Sequence, residues 1–200
     1  MKYLVLAAAF ALAASGVQAA GDASAGKALS VPCSACHGAD GNSAVPSFPK
    51  LAGQHEKYLL KQLRDVKSGA RMIPTMIGQL DNLSDQDLQN LAAYFSSQTG
   101  SPAAAKEELV ALGEKVYRGG VAEKGVAACI ACHGATGVGN GPAGFPRLGG
   151  QYADYIASSL KAYRSGERMN DGDIRIMRDV ASRLSDKEIE AVASYASGLY

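Results

Sequence analysis

The stretch that decides the fold of this chain reads CSACHG at residues 33–38, and it recurs as CIACHG at residues 129–134. The likeness extends past this motif, because FPKLAGQ at residues 48–54 recurs as FPRLGGQ at residues 145–151. The two copies of the first motif lie 96 residues apart. That distance is too long for a solenoid unit of about 20 to 50 residues and fits a duplicated domain. We therefore predict two similar domains in tandem.

The junction between the repeats lies at residues 99–102, where TGSP interrupts the helical pattern with glycine and proline. This boundary gives an N-terminal domain of residues 20–100 and a C-terminal domain of residues 101–200. Residues 1–19 have a basic start, an apolar run and a small-residue cleavage pattern, which together predict a cleaved signal peptide. The apolar run is shorter than the roughly 20 residues that cross a bilayer. We expect an exported mature chain without a transmembrane segment.

Apolar side chains at helical spacing predict the helices of both domains. Leu59, Leu63 and Val66 lie on one face of a stretch that Gly69 ends. Another amphipathic stretch covers residues 109–116 and ends at a glycine pair. No strand pattern competes with these helices, so the predicted fold class is all-α.

The closing helix of each domain has a recognisable start signal. Ser84 is followed three residues later by Asp87, and Ser185 is followed in the same way by Glu188. This spacing is typical of a capping box, in which the serine and the acidic side chain each accept a hydrogen bond from a free backbone N–H. The pattern predicts helices that begin directly after the two serines.

The charge balance narrows the class of partner. The chain has 20 Lys and Arg against 19 Asp and Glu, and Lys2 belongs to the signal segment, so the mature chain is formally neutral. Each predicted domain is neutral as well, and neither carries a basic stripe. Nucleic acids and anionic membrane surfaces attract clustered positive charge. We therefore expect protein partners and no nucleic acid.

The composition suggests that the cores contain more than side chains. The chain has no Trp and only 4 Phe, and a domain of half this length buries little apolar surface on its own. Cys-x-x-Cys-His is the signature of covalent haem attachment, in which two thiols bond the haem vinyl groups and the histidine binds iron. We predict two covalently bound haem c groups, attached through Cys33, Cys36, Cys129 and Cys132.

A zinc ribbon, a thioredoxin-like redox pair and structural disulfides fit these cysteines less well. A zinc ribbon needs its cysteine pairs about 15 to 20 residues apart, whereas 92 residues separate Cys36 from Cys129. A thioredoxin-like redox pair belongs to a fold with strands, which the pattern does not predict. Structural disulfides would not explain why a histidine follows both pairs.

The histidines directly after the cysteine pairs, His37 and His133, are the predicted first axial ligands of the two haem irons. His55 is the only other histidine, and its repeat partner is Tyr152. A second histidine ligand in both domains is therefore excluded. We interpret His55 as a solvated surface residue near the start of a helix.

Methionine is the better candidate for the second axial ligand. The four methionines of the mature chain form two repeat-matched pairs, Met72 with Met169 and Met76 with Met177. The later pair lies further from the preceding helix ends, in predicted loops, and this placement favours it. From the residues alone, the alternative that either pair only packs against a haem face stays open.

The order of haem motif, FPxLxGQ segment, methionine, LSD and closing helix resembles the diheme cytochrome c4 family over essentially the whole mature chain. The resemblance implies two class I cytochrome c domains related by a pseudo-twofold axis, each with a His/Met-ligated haem. It also implies electron delivery to terminal oxidases. Matched by motif, the axial pairs become His37 with Met76 and His133 with Met177.

The resemblance further implies contacts around each haem. In class I cytochromes a proline-containing loop offers a carbonyl to the ligand histidine, which points to Pro49 and Pro146. Their alternative role is a rigid turn without haem contact. Lys50 and Arg147 are candidates for pairing with the haem propionates, and the alternative for both is plain solvent exposure.

His/Met ligation fills both axial positions, which leaves no site for a substrate and suits a one-electron carrier rather than an enzyme. We expect a periplasmic carrier that receives electrons from an upstream cytochrome or a quinol-oxidising complex and delivers them to a terminal oxidase. Two alternatives remain open. One is a diheme electron-accepting subunit of a flavocytochrome-type complex, and the other is a diheme enzyme with one open haem site.

Overall fold

The computed structural model describes residues 21–200, so the predicted signal peptide lies outside the described residues. The helices are α1 (Ala23–Leu29), α2 (Ser34–His37), α3 (Glu56–Lys67), α4 (Asp85–Ser97), α5 (Glu107–Glu114), α6 (Ile130–His133), α7 (Ala153–Ser165), α8 (Ile176–Ala181) and α9 (Asp186–Ser197). Short 3-10 turns cover Val31–Cys33, Pro74–Met76 and Ala122–Lys124, and a π-helical turn, Lys115–Gly119, continues α5. Within residues 21–200 extended pairing is limited to two isolated β-bridges. The predicted all-α class is confirmed.

Each half of the chain folds around its closing helix. In the N-terminal half α4 packs against α1 and α3, and in the C-terminal half α9 packs against α5 and α7. The equivalent packing confirms that one fold is repeated in tandem. In the part of the chain that the structure describes, no helix has the length and apolar character of a membrane span.

The predicted helix signals are confirmed. Ser84 caps α4 and Ser185 caps α9, and in both caps the serine hydroxyl accepts from the backbone N–H three residues later. Asp87 and Glu188 accept in return from the backbone N–H of the two serines. At the end of α3, Gly69 adopts a left-handed φ of 79°, which lets the chain turn away from the helix.

Glycines allow the first and last helices of each half to cross at very close range. A Cβ on Gly26 of α1 would lie 2.0 Å from the carbonyl oxygen of Asn90 in α4. In the C-terminal half, a Cβ on Gly113 of α5 would lie 2.3 Å from the carbonyl oxygen of Ala191 in α9. No side chain tolerates such contacts with a backbone, so this crossing requires glycine.

Gly113→Ala is expected to destabilise the protein by about 3 kcal/mol, because α5 must move away from α9 to admit the methyl group. Chemical denaturation followed by far-UV circular dichroism measures the effect. The matched control is Gly119→Ala, since a Cβ on Gly119 meets no atom within 4 Å. Equal stabilities of the two variants would show that the crossing is not tight.

In each half, a buried core tyrosine donates a hydrogen bond to the backbone close to the Cys-x-x-Cys-His motif. Tyr117 is fully buried in the C-terminal core, and its hydroxyl donates to the carbonyl of Gly134 at 2.7 Å. In the N-terminal core, the hydroxyl of Tyr94 donates to the carbonyl of Ala39 at 2.8 Å. Gly134 directly follows the second Cys-x-x-Cys-His motif and Ala39 lies two residues after the first, so the packed cores fix the positions of the motifs.

The two halves exchange equivalent side-chain contacts across their interface. Arg71 Nη2 donates to the hydroxyl of Tyr155 at 2.9 Å, and Arg168 Nη2 donates to the hydroxyl of Tyr58 at 3.0 Å. The two arginines are repeat partners, and so are the two tyrosines. The reciprocal hydrogen bonds therefore reflect the expected pseudo-twofold relation between the halves.

His55 precedes α3 as its N-cap, as predicted, but its ring is not simply solvated. Its Nε2 lies 2.7 Å from the carbonyl oxygen of Val138, and its ring packs closely against Gly141. Both contacts belong to the other half of the chain, so His55 lies at the surface near a helix start as expected but has a partner there. A partner 83 residues away leaves no signal in the local sequence.

Candidate haem sites

Two short helices carry the haem-attachment motifs in equivalent positions. In the N-terminal half, Cys33 precedes α2, and Cys36 and His37 lie within it; the C-terminal half repeats this arrangement on α6. The spacing of three and four residues keeps both thiols and the imidazole within about one helical turn. Gly38 and Gly134 end the two helices with φ of 78° and 77°, which turns the chain directly after the histidine.

A main-chain carbonyl orients each of these histidines, and the predicted hydrogen bonds are present in both halves. Nδ1 of His37 lies 2.9 Å from the carbonyl oxygen of Pro49, and Nδ1 of His133 lies 2.9 Å from that of Pro146. A carbonyl oxygen only accepts, so Nδ1 carries the proton and Nε2 keeps its lone pair. Burial lowers the pKa of both histidines, and the hydrogen bond offsets this only in part. Both rings are neutral imidazoles suited to binding iron through Nε2.

The cysteines form neither disulfides nor a reactive redox pair. None of the four is disulfide-bonded in the described part of the chain. Burial raises the pKa of Cys33, and it raises that of Cys129 to about 11, whereas the thiols of reactive redox pairs have lowered pKa values. Among residues 21–200, no group of three or more His, Cys, Asp and Glu side chains is arranged to hold a metal ion.

The two methionine pairs differ in burial. Met72 and Met169 are 64% and 59% exposed, whereas Met76 and Met177 are partly buried, and Met177 packs against the C-terminal core. This difference supports the later pair as ligands. The expected loop placement is wrong for Met177, however, because this residue lies in α8, while Met76 ends the 3-10 turn Pro74–Met76.

An ion pair between Arg178 and Asp171 stabilises α8. Arg178 donates from Nε to Asp171 Oδ1 at 2.6 Å, and its backbone N–H donates to Asp171 Oδ2 at 2.9 Å. Burial opposes the ionisation of Asp171, but the hydrogen bonds from Arg178 outweigh it and lower the pKa of this carboxyl group. Arg178 directly follows Met177, so this ion pair fixes the position of the candidate ligand. Asp171 belongs to a short insertion that the N-terminal half lacks.

Asp171→Asn is expected to weaken the attachment of α8 by about 2 kcal/mol, because charge-assisted hydrogen bonds are replaced by weaker neutral ones. The red absorption band expected of a haem with Met177 as its axial ligand should then disappear at a lower temperature than in the wild type. Variable-temperature absorption spectroscopy measures this loss. Asp173→Asn, at an exposed position of the same insertion, is the control and should leave the band unchanged.

Large apolar side chains are exposed in the segments near the two motifs and the candidate methionines. Each is at least 40% exposed: Val31, Val45, Met72 and Ile77 in the N-terminal half, and Val138, Met169, Ile174 and Ile176 in the C-terminal half. All of them lie in segments next to a cysteine motif or a candidate methionine. An apolar surface beside two thiols, an imidazole and a thioether suits a largely apolar macrocycle that bonds iron. The residues of both sites thus fit a covalently bound haem.

Lys50 lies at the interface between the halves. Its ammonium group donates to the carbonyls of Ser101, Pro102 and Gly150 at 3.1, 3.3 and 2.9 Å, and the residue is only 7% exposed. Burial lowers its pKa. The alternative that Lys50 is solvated is therefore wrong. Arg147 is partly buried and donates from Nε to a nearby carbonyl. Pairing of either residue with a haem propionate stays a prediction.

Two buried glutamines contact the proline loops, although no role follows for them from the sequence. Gln54 and Gln151 close the two FPxLxGQ segments, and they are 7% and 8% exposed. Each forms hydrogen bonds with the loop of the opposite half. The one signal in the sequence is that the same polar side chain recurs at the end of the repeat.

Known proteins resemble this chain over nearly all of the described part. A family model described as cytochrome c matches it twice, at residues 23–99 and 110–199. A cytochrome c4 of Pseudomonas aeruginosa is 56% identical over 182 residues, which cover 91% of this chain and 90% of the relative. The crystal structure of reduced recombinant cytochrome c4 from Pseudomonas stutzeri superposes with a TM-score of 0.89 at 55% identity, covering 90% of this chain and 100% of that chain.

A second kind of relative is more distant. A thiosulfate dehydrogenase electron acceptor of Stutzerimonas stutzeri is 40% identical over 167 residues, which cover 82% of this chain and 76% of the relative.

Proposed function

Since this chain belongs to the cytochrome c4 family and has two cytochrome c domains, we propose that it shuttles electrons in the periplasm and delivers them to a terminal oxidase. It is an electron-transfer protein that carries two covalently attached haem c groups. The export signal predicted at residues 1–19 supports the periplasmic location. An upstream cytochrome or a quinol-oxidising complex is the proposed donor.

We propose domain limits of 20–100 and 101–200, because the connection between α4 and α5 contains no helix. Each domain supplies the same donor set, consisting of two thiols for the thioether bonds, an imidazole and a thioether for the iron. The proposed members are Cys33, Cys36, His37 and Met76 in one domain and Cys129, Cys132, His133 and Met177 in the other. The observation that carries this assignment is the repeated geometry in which a proline carbonyl holds a neutral histidine.

The side chains around the iron determine what kind of redox protein this is. Haem iron, when bound, supplies the one-electron chemistry. The chain contributes His37 and His133 as neutral ligands fixed by carbonyl hydrogen bonds, together with soft thioether ligands that favour ferrous iron and raise the reduction potential. With a side chain assigned to both axial positions in each domain, no position remains for a substrate. This arrangement suits a carrier that passes electrons to a strong oxidant.

A redox titration of the purified holoprotein tests the proposed ligation. Two low-spin centres of high potential, both with the red absorption band of Met-ligated ferric haem and neither binding carbon monoxide, are expected. A centre that binds carbon monoxide or lacks the band would instead support a diheme enzyme with an open haem site. Oxygen consumption by oxidase-containing membranes, supplied with the reduced holoprotein, tests the proposed acceptor.

A second candidate function is that of an electron acceptor for a sulfur-oxidising dehydrogenase. It is favoured by the 40% identity to a protein named thiosulfate dehydrogenase electron acceptor. The two functions share the same haem ligation and differ in the donor. Stopped-flow reduction of the ferric holoprotein by a thiosulfate dehydrogenase with thiosulfate, compared with reduction by a quinol-oxidising complex, distinguishes them. Faster reduction by the quinol-oxidising complex supports the respiratory shuttle.

A further inference from the structure

Gln54 and Gln151 occupy equivalent positions of the repeat, and each reaches into the other half. Gln151 Oε1 accepts from the backbone N–H of Lys50 at 3.0 Å, and its Nε2 donates to the Lys50 carbonyl at 2.8 Å. Gln54 binds Arg147 in the same way, accepting from its N–H and donating to its carbonyl, both at 2.9 Å. The two amides thus form a reciprocal pair of contacts across the interface.

The backbone N–H that each amide accepts from belongs to the peptide unit that orients a histidine. The carbonyl of Pro49 and the N–H of Lys50 are the two ends of one peptide unit. This unit accepts from His37 Nδ1 at 2.9 Å and donates to Gln151 Oε1 at 3.0 Å. The chain of hydrogen bonds therefore runs from the histidine of one half to the glutamine of the other. Only one peptide unit lies between them.

The C-terminal site has the same connection in the opposite direction. The peptide unit between Pro146 and Arg147 accepts from His133 Nδ1 at 2.9 Å and donates to Gln54 Oε1 at 2.9 Å. Each half therefore supplies its own histidine and proline, and it depends on the other half for the glutamine.

The orientation of both amides follows from the groups around them. A backbone N–H only donates and a carbonyl only accepts, so Oε1 must face the N–H and Nε2 the carbonyl. Oε1 of Gln151 also accepts from the backbone N–H of Tyr152, and Oε1 of Gln54 accepts from that of His55, both at 3.0 Å. If either amide were rotated by 180°, its NH2 group would face two backbone N–H donors and three hydrogen bonds would be lost. Both amides therefore have the orientation described above.

We propose that Gln54 and Gln151 are positioning residues that tune the histidine ligand of the opposite half, Gln151 acting on His37 and Gln54 on His133. Hydrogen bonds in a chain polarise one another, so donation from the peptide N–H to the glutamine makes the proline carbonyl a stronger acceptor. A stronger acceptor at Nδ1 raises the basicity of Nε2 and fixes the ring orientation. A more basic ligand favours ferric iron, so each glutamine lowers the reduction potential of the opposite haem.

The reduction potential of each haem would therefore depend on a glutamine of the other half. A change in one half alters the haem of the other half without any movement of that haem's own ligands. The inference rests on the proposed ligation by His37 and His133. The spectrum of the wild-type holoprotein tests that ligation separately from the variants below.

Gln151→Met in the holoprotein tests the inference, because methionine has a similar length and offers no amide hydrogen bonds. The potential of the His37 haem is expected to rise relative to that of the His133 haem. The equilibrium ratio of electrons on the two haems is expected to change about threefold. For a one-electron couple, this corresponds to a change of about 30 mV in the difference between the two reduction potentials. Gln54→Met is expected to raise the potential of the His133 haem relative to that of the His37 haem. Redox titration followed by NMR of the haem methyl signals separates the two centres, and Met76→Ala assigns the N-terminal set.

The ring N–H of the affected histidine gives a readout that does not depend on electron transfer. In Gln151→Met the Nδ1–H of His37 is expected to exchange with solvent faster than in the wild type, while that of His133 is unchanged. NMR of protein labelled with ¹⁵N-histidine measures both rates.

Gln151→Glu is the conservative control, since it keeps an oxygen opposite the N–H of Lys50. It is expected to leave the His37 haem at or below its wild-type potential. The inference is overturned if Gln151→Met shifts the His133 haem, if it shifts both haems equally, or if Gln151→Glu raises the potential as Met does. Should Gln151→Met fail to accumulate, Gln54→Met and Gln151→Glu carry the same test.

Discussion

Met76→Ala is expected to remove the red absorption band of the N-terminal haem and to open its iron to carbon monoxide. The thioether is the proposed axial ligand, and alanine offers no replacement donor. Loss of a soft neutral ligand should also lower the potential of that haem by on the order of 0.1 V, a fraction of the roughly 0.8 V range that axial ligands control. Optical redox titration and carbon monoxide difference spectra measure these changes.

Met72→Ala is the matched control for this prediction. It removes the same side chain four residues earlier, where the methionine is 64% exposed, and it should leave band and potential nearly unchanged. Met177→Ala and Met169→Ala repeat the comparison in the C-terminal half. If Met72→Ala, rather than Met76→Ala, abolished the band, the earlier methionine pair would be the ligands.

Cys36→Ala is expected to reduce the accumulation of holoprotein severalfold or more. With one of its two thioether bonds lost, the haem is held less firmly in a small core that depends on it. Modest losses of stability already lower protein abundance in cells. The N-terminal core is the more vulnerable one, because among residues 21–200 its buried cluster is the smaller, consisting of Leu59, Leu91, Ala92, Tyr94 and Phe95. Cys132→Ala should act in the same direction on the larger C-terminal core. Haem content per chain and the yield in periplasmic extracts measure both effects.

Ser34→Ala is the control within the same motif. Ser34 lies between the two cysteines and is half-buried, and its hydroxyl donates to the nearby carbonyl of Val31. We expect near-normal yield and two haems per chain. Accumulation of Cys36→Ala as a stable protein without haem would contradict the idea that the haem completes the core.

The sequence was most informative where structure depends on neighbouring residues. Ser84 and Ser185 begin their helices as predicted, because a capping box is complete within four residues. The helical stretch before Gly69 follows from the spacing of its apolar residues, which is again local. The proline carbonyls that bind the histidines were expected from the family resemblance, because in class I cytochromes a proline-containing loop supplies this carbonyl.

Sequence reasoning failed where a residue meets a partner from the other half or from an insertion. His55 was interpreted as solvated, yet its ring contacts the backbone at Val138. Met177 was placed in a loop, yet the ion pair between Asp171 and Arg178 stabilises a helix around it. Lys50 was left undecided between haem and solvent, yet its ammonium group binds carbonyls at the interface.

The sequence by itself determined the duplication, the helical class, the attachment motif and the two pairs of candidate methionines, because each follows from residue types and their spacing along the chain. Only the tertiary structure decided how the halves depend on each other. The amides of Gln54 and Gln151 cross the interface to the peptide units that hold the histidines of the opposite half. Their partners lie 101 and 93 residues away along the chain. Contacts at such separations form only when folding brings the repeats together, so no local pattern predicts them.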